Sequence, residues 1–368
     1  MTYLGIDLHT RNMTICAVSS NGKNIGEWKL ANDTTLLDHL IREISDPVKA
    51  VVEATSSWYW LADWARSREI ELVLAHAKML KAIAYAKVKT DSVDAHRLAQ
   101  LLAADLIPKA HMVMGTRREL RELLRARLRF VWRRCKIQDS LYNLFFKYNV
   151  PIPKYPFRDL NRLEEHLSSH LPQASALEAS LQIEQFRLLE SQVYQIEKQI
   201  DAYGPEFPAF DRISKVPGIG KVSSWSILAE IGDISRFQSD KNFVSYCRLV
   251  PGAADSGGKR RHKSRNKDGN KYLKIAFSQA AIGAITYYPP VRGFYNKIRR
   301  RSGKHVARTV VAKELARIVY FMLSRGEEYK GFKGKPTPKD TYLNWPHSVS
   351  PHSLRGRDRA DPSQPDAI

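Results

Sequence analysis

Alternation of apolar and polar positions opens the chain. Residues 2–8 and 13–19 read as strands joined by a short polar turn. Ser20-Asn21-Gly22-Lys23 is a hairpin signal, and a third strand runs to Leu30. The period then lengthens: Leu36, Leu37, Leu40 and Ile41 follow Asp33-Thr34-Thr35 at helical spacing. An apolar run ending in Glu53, a helix over 58–66, a strand over 71–75 and a helix opening at Asp91 complete the alternation. Three antiparallel strands followed by alternating helix and strand predict an α/β layer domain over residues 1–110.

Beyond it the pattern is helical. Thr116-Arg117-Arg118-Glu119 has the form of a capping box, and Leu120, Leu124, Leu128, Val131 and Cys135 make an apolar stripe behind it. Pro151, Pro153 and Pro156 break that helix. A second helix spans 174–203 and stops at Gly204-Pro205. Phe186, Val193 and Ile200 repeat every seven residues, as do Leu189, Ile196 and Tyr203, which is an a/d seam. The spacing predicts coiled-coil helices over 111–205 and leaves open whether they pair with each other or with another chain. A mainly helical domain over 206–335 follows. Residues 336–368 are rich in proline and serine and read as a disordered tail.

Charge narrows the function. The 368 residues carry a formal net charge of +21, which points to a polyanionic partner. The tail's four basic and four acidic side chains cancel, so the excess lies in the folded part. No apolar run is long enough for a membrane span. Cys16, Cys135 and Cys247 form no CxxC pair, which argues against a zinc site or a disulfide frame. A cytoplasmic, nucleoid-associated protein is expected.

Arg117, Arg121, Arg125, Arg129 and Arg133 recur every four residues, a row that suits phosphate contact along a groove; a solvated helix flank is the plainer alternative. Gly218, Gly220 and Lys221, within Val216-Pro217-Gly218-Ile219-Gly220-Lys221, resemble the helix-hairpin-helix element of DNA repair proteins, where backbone amides hold phosphate. An ordinary tight turn is the alternative. Lys259, Arg260, Arg261, Lys263, Arg265, Lys267 and Lys271 crowd the segment after Ser256, against the single acid Asp268. Residues 297–304 add a further basic patch. Ser256, in a glycine-flanked loop beside these cations, is a candidate nucleophile towards DNA. Asp255 places an extra negative charge beside that hydroxyl.

Four acids complete the picture. Asp7 and Glu53 each end an apolar strand, where sites on α/β sheets are built. Asp91 and Asp94 lie three residues apart in the first turn of a helix that Thr90 can cap, on one face. Together they offer oxygen ligands suited to Mg²⁺ or Mn²⁺. His9 and His96 flank them and read as neighbours of the acids rather than as ligands.

The order of elements in residues 1–110 resembles the ribonuclease-H-like fold, in particular Holliday-junction-resolvase-like nucleases, in which acids at matching places bind divalent metal. Tyr3-Leu4-Gly5-Ile6-Asp7, Val51-Val52-Glu53-Ala54-Thr55, Lys89-Thr90-Asp91-Ser92-Val93-Asp94-Ala95, Val216-Pro217-Gly218-Ile219-Gly220, Ser256-Gly257 and Lys267-Asp268-Gly269-Asn270-Lys271 resemble one insertion-sequence transposase family related to the pilin-gene inverting recombinases. The resemblance spans residues 1–325. It implies a recombinase that joins a resolvase-like Asp-Glu-Asp-Asp domain to a C-terminal serine domain through a coiled coil. Asp7, Glu53, Asp91 and Asp94 would hold the metal and Ser256 would form a phosphoserine link to DNA. It also implies donor and target DNA as partners and a homo-oligomer, dimer or tetramer. In some relatives an element-encoded bridge RNA guides the reaction. A metal-dependent junction-resolving nuclease without a covalent intermediate is the alternative.

Overall fold

A computed structural model of the chain describes residues 1–55, 57–83, 90–251 and 268–332, with the backbone alone of 255–256 and 259–260. It divides into two compact units, one covering Met1–Val113 and one starting at Met114.

The first unit is built on a five-stranded sheet. Its elements are β1 (Thr2–Leu8), β2 (Asn12–Ser19), β3 (Asn24–Ala31), α1 (Thr34–Glu43), β4 (Val48–Glu53), α2 (Tyr59–Ser67), β5 (Glu71–Ala75), α3 (Ala77–Ile83) and α4 (Asp91–Ala103). The strand order is β3-β2-β1-β4-β5. β1 and β2 pair antiparallel, as do β2 and β3, whereas β4 and β5 run parallel to β1. Strands covered on both faces need nearly continuous apolar sequence. Accordingly Leu4, Ile6, Ile15, Val51 and Val52 are buried, while edge strand β3 alternates between covered and exposed positions.

One residue lets α4 sit on this sheet. A Cβ at Gly5 would come within 2.0 Å of the Ala95 carbonyl oxygen and 2.4 Å of the Ala99 nitrogen. Only a glycine admits a helix backbone that close to a strand. Ala95 and Ala99, both fully buried, supply the matching small residues on α4.

The second unit is helical: α5 (Gly115–Lys147), α6 (Leu160–His170), α7 (Gln173–Asp201), α8 (Phe210–Ser214), α9 (Lys221–Ile231), α10 (Asp240–Tyr246), α11 (Lys271–Tyr287) and α12 (Pro289–Arg325), with a two-residue ribbon, β6 (Asp255–Ser256) and β7 (Lys259–Arg260), ahead of α11. The two long helices pair with each other, which spacing left open. Arg127 meets Glu197 and Arg134 meets Glu190, so α5 and α7 run antiparallel. Phe186, Leu189, Val193 and Ile200 of the heptad seam are buried. Leu120, Leu124 and Ile200 share one core with α9, α11 and α12, so no break in the core marks residue 205.

One local expectation is corrected. α5 starts at Gly115 behind Met114, and no side chain caps it, so Thr116 is inside the helix rather than its cap. α6, which follows the proline turn, is an element that the sequence reading leaves unassigned. Asp159 caps it by accepting from the Asn161 and Arg162 amides, and Leu163 and Leu167 lock it into a second core with Leu141, Phe145 and Ile183.

Candidate metal centre

Register brings the first two acids together. Ile6 of β1 lies opposite Val52 of the parallel β4, so Asp7 and Glu53 are the next residues at the same end of adjacent strands. α4 supplies the other two. Thr90 caps it in extended conformation, its side chain accepting from the Val93 amide at 3.2 Å, which leaves Asp91 and Asp94 in the first helical turn. That N-terminus is tied to the sheet: Ser92 Oγ donates to Glu27 Oε2 on β3 at 2.6 Å. Gly5 sets the helix at contact distance from β1. Strand register, a cap and one glycine thus set the backbones of all four acids, while the close group of ligand atoms among the described residues holds Asp7 and Asp91 with His9, without Glu53 and Asp94.

Their proximity shows in Asp7. Burial pushes its carboxyl pKa up, His9 opposes that rise, and Asp91, Asp94 and Glu53 push it further up. Asp7 thus feels the other three carboxylates from a half-buried place. Such a group is stable only with a cation or proton among its members. Among the described residues, Asp7, His9 and Asp91 bring one ligand atom each within 4.8 Å of the others. Hard oxygen donors, excess negative charge and this spacing fit a divalent cation. His9, which sequence placed outside the ligand set, stands between two of the acids: its Nε2 is 3.2 Å from Asp7 Oδ2 and 3.3 Å from Asp91 Oδ1. His96 lies on α4, partly exposed.

Other expected site residues divide. The arginine row does not form one continuous surface. Arg117 donates to the Gly232 carbonyl, and Arg125 makes a double hydrogen bond to buried Glu230 at 2.7 and 2.9 Å and lies over the Tyr272 ring. Arg121 is itself buried. The expectation of five phosphate contacts is corrected for these three, because α5 turns their side of the helix towards the second unit's own core. Arg129 and Arg133 are exposed.

The glycine turn has a packing role that spacing does not show. Gly218 is buried with φ +79°, and a Cβ there would come within 2.0 Å of the Ala280 carbonyl oxygen on α11. That close approach of α11 requires glycine at this position. Gly220 precedes α9 in open space, and Lys221 pairs with Asp201 at 2.6 Å. Lys271 is exposed at the start of α11. Exposed Lys297, Arg299, Arg300, Arg301 and Lys304 flank the kink that Gly303 makes in α12 at φ +78°.

Ser256 pairs with Lys259 across the β6–β7 ribbon. The side chains of Ser256, Lys259 and Arg260, and all of Arg261, Lys263, Arg265 and Lys267, lie outside the described residues, as does the tail beyond 332. The far end of their segment is fixed. The Asn270 amide donates to the Tyr246 carbonyl at 2.6 Å, Arg248 Nε donates to the Gly269 carbonyl at 2.8 Å, and Asn270 Nδ2 donates to Glu230 at 2.7 Å.

Comparison with known proteins identifies the domains that carry these residues. Residues 4–149 match the DEDD transposase domain of IS110 elements, and residues 211–296 match the domain described as transposase IS116/IS110/IS902 family. The first match carries all four acids and implies a ribonuclease-H-like fold and divalent metal use. A probable family 20 transposase of Pseudomonas aeruginosa is 25% identical over 77% of this chain and 86% of its own length. The pilin gene-inverting protein of Moraxella bovis is 24% identical over 89% of this chain and 97% of its own. The transposase for insertion sequence element IS1111A of Coxiella burnetii is 22% identical over 66% of this chain and 68% of its own. No described helix is long and apolar enough to cross a membrane. With both domains present in order and together covering more than half of its length, the chain is a transposase of the IS116/IS110/IS902 family.

Proposed function

We propose that this transposase is the recombinase of an insertion element, cutting and rejoining DNA through Ser256, with Asp7, Glu53, Asp91 and Asp94 holding Mg²⁺ or Mn²⁺. The observation that supports the proposal is Asp7, whose carboxyl pKa is pushed up by burial and by Asp91, Asp94 and Glu53, and which has a ligand atom within 4.8 Å of one of Asp91. Relatives named for transposition and for inverting a pilin gene support DNA as the substrate.

In this reaction the Ser256 hydroxyl oxygen bonds to a backbone phosphorus and gives up its proton. The bond from phosphorus to one deoxyribose oxygen breaks, and that oxygen takes a proton as it leaves. The phosphodiester's energy is kept in the serine ester, so a new deoxyribose hydroxyl can reverse the step and join a different strand. A bound divalent ion supplies Lewis-acid stabilisation of charge on the phosphate oxygens. Asp7 and Glu53, fixed by strand register, and Asp91 and Asp94, fixed by the Thr90 cap, give that ion a rigid seat. Lys259, Arg260, Arg261, Lys263, Arg265 and Lys267 attract the phosphates that flank the cut, and Lys271 and Arg129 with Arg133 hold nucleic acid further away.

The proposal includes a homo-oligomer, nucleoid association and an element-encoded bridge RNA. RNA that co-purifies with the chain from its native host and maps beside its gene would support the guide; bulk cellular RNA alone would remove it. The test of the chemistry is a denaturing gel of the full chain incubated with labelled element-end DNA and Mg²⁺. A protein–DNA adduct that survives denaturation and disappears in Ser256→Ala, with DNA binding kept, is the expected result. Hydrolysed ends without an adduct, unchanged by Ser256→Ala, would favour the junction-resolving nuclease that the acids alone could form.

A further inference from the structure

The acids account for oxygen ligands, but they leave His9 unexplained. Asp7 and His9 are two residues apart along an extended strand and its exit, a spacing that points side chains to one face. The His9 backbone is fixed on both sides: its amide donates to the Asn12 carbonyl at 2.9 Å, and its carbonyl accepts from Asn32 Nδ2 at 2.9 Å. Asn32 is held in turn by its own amide, which donates to the Arg11 carbonyl at 3.1 Å. The ring is therefore presented from a tight β1–β2 turn rather than from a loose loop. Its Nε2 stands 3.2 Å from Asp7 on the sheet and 3.3 Å from Asp91 on the helix. Any cation shared by those two carboxylates would also meet this nitrogen, since all three ligand atoms lie within 4.8 Å of one another.

We propose that His9 is a direct nitrogen ligand of the centre, and that it tilts the site towards Mn²⁺ over Mg²⁺. The inference rests on the assignment of the four acids as a metal centre. Its chemistry is general. Mg²⁺ is bound by carboxylates and retained waters, whereas an imidazole adds more to the binding of a transition ion than to that of Mg²⁺. An all-carboxylate set would show little of that preference. In this structure the ring nitrogen bridges Asp7 on the sheet and Asp91 on the helix.

Pulsed electron paramagnetic resonance on the metal-free full chain titrated with Mn²⁺ alone tests this, followed by competition with Mg²⁺. The wild type is expected to show a ¹⁴N coupling from a directly bound imidazole. His9→Ala is expected to lose that coupling and to bind Mn²⁺ on the order of 10-fold more weakly, while Mg²⁺ affinity changes far less. His9→Gln, which keeps an N–H donor for the two carboxylates, is expected to behave like His9→Ala. Absence of the coupling in the wild type, or an unchanged Mn²⁺ to Mg²⁺ ratio in both variants, would overturn the inference. Asp7→Ala separates the two levels. If it abolishes Mn²⁺ binding while both His9 variants bind Mn²⁺ as tightly as the wild type, His9 alone is misassigned; if it too binds normally, the four-acid assignment falls.

Discussion

Gly5 decides whether the acids meet at all. Any side chain there would run into the α4 backbone at Ala95 and Ala99, and backbone cannot swing aside as a flexible side chain can. Gly5→Ala should destabilise the chain by about 1–3 kcal/mol in urea titration, and should weaken metal binding even in the fraction that folds. Asp7 presents the opposite case. Burial and three neighbouring carboxylates push its pKa up, so its charge is a cost to the metal-free fold. Asp7→Asn should therefore raise the metal-free melting temperature by about 2–4 °C, the shift expected of roughly 1 kcal/mol, and should abolish any further rise on adding metal. Asp38, away from the site, accepts from Arg68 and from Trp64 Nε1, which pulls its pKa down to about 2. A depressed carboxyl stabilises the fold above its unfolded pKa, near 3.9, and loses that contribution as pH falls through the folded value. Melts of wild type and Asp38→Asn should thus differ at neutral pH and converge between about pH 4 and about pH 2. The acids were legible as residue types in strand-end and helix-start positions. Gly5's packing role and the bridging place of His9 were not, because both depend on which helix lies over β1.

The strands and the long helices were readable because their periods are long and uninterrupted. α6 was hidden by the prolines before it, although Asp159 and the Leu160, Leu163, Leu167 spacing mark it in retrospect. The arginine row shows where periodicity misleads. A four-residue repeat drifts around a 3.6-residue helix, so one row starts against the protein's own core and ends in solvent. Sequence could not show that Glu230, more than a hundred residues away, pairs with Arg125. That pair, with Asn270 on the same carboxylate, ties α5 and α9 to the start of α11. Glu230→Ala would leave the half-buried Arg125 guanidinium with only the longer ion pair to Glu122 at 3.5 Å, and should cost about 3 kcal/mol in chemical denaturation. Arg133→Ala, on the exposed stretch, should leave the melting temperature unchanged. It should weaken nucleic-acid binding and lower the salt dependence by about one phosphate contact, read by fluorescence anisotropy at several salt concentrations.

At the level of the whole chain, 59 lysines and arginines face 38 acids. The unit that carries the four acids is balanced, with 13 basic and 13 acidic side chains in residues 1–113, so the excess lies in the helical unit and it is there that the chain can attract a polyanion. The order of the two matched domains, DEDD first and IS116/IS110/IS902 second, was legible because separate motifs fell in sequence along the chain. The placement of the serine hydroxyl could not be read from a short glycine-flanked segment. The central claim is that carboxylates from β1, β4 and α4 act as one metal centre. The most direct test is the melting temperature of wild type, Asp7→Ala, Asp94→Ala and the double variant, each with and without millimolar Mg²⁺ or Mn²⁺. The metal should raise the wild-type value; each single variant should lose that rise completely, and the double variant should lose no more. A rise that persists in either single variant would contradict the claim.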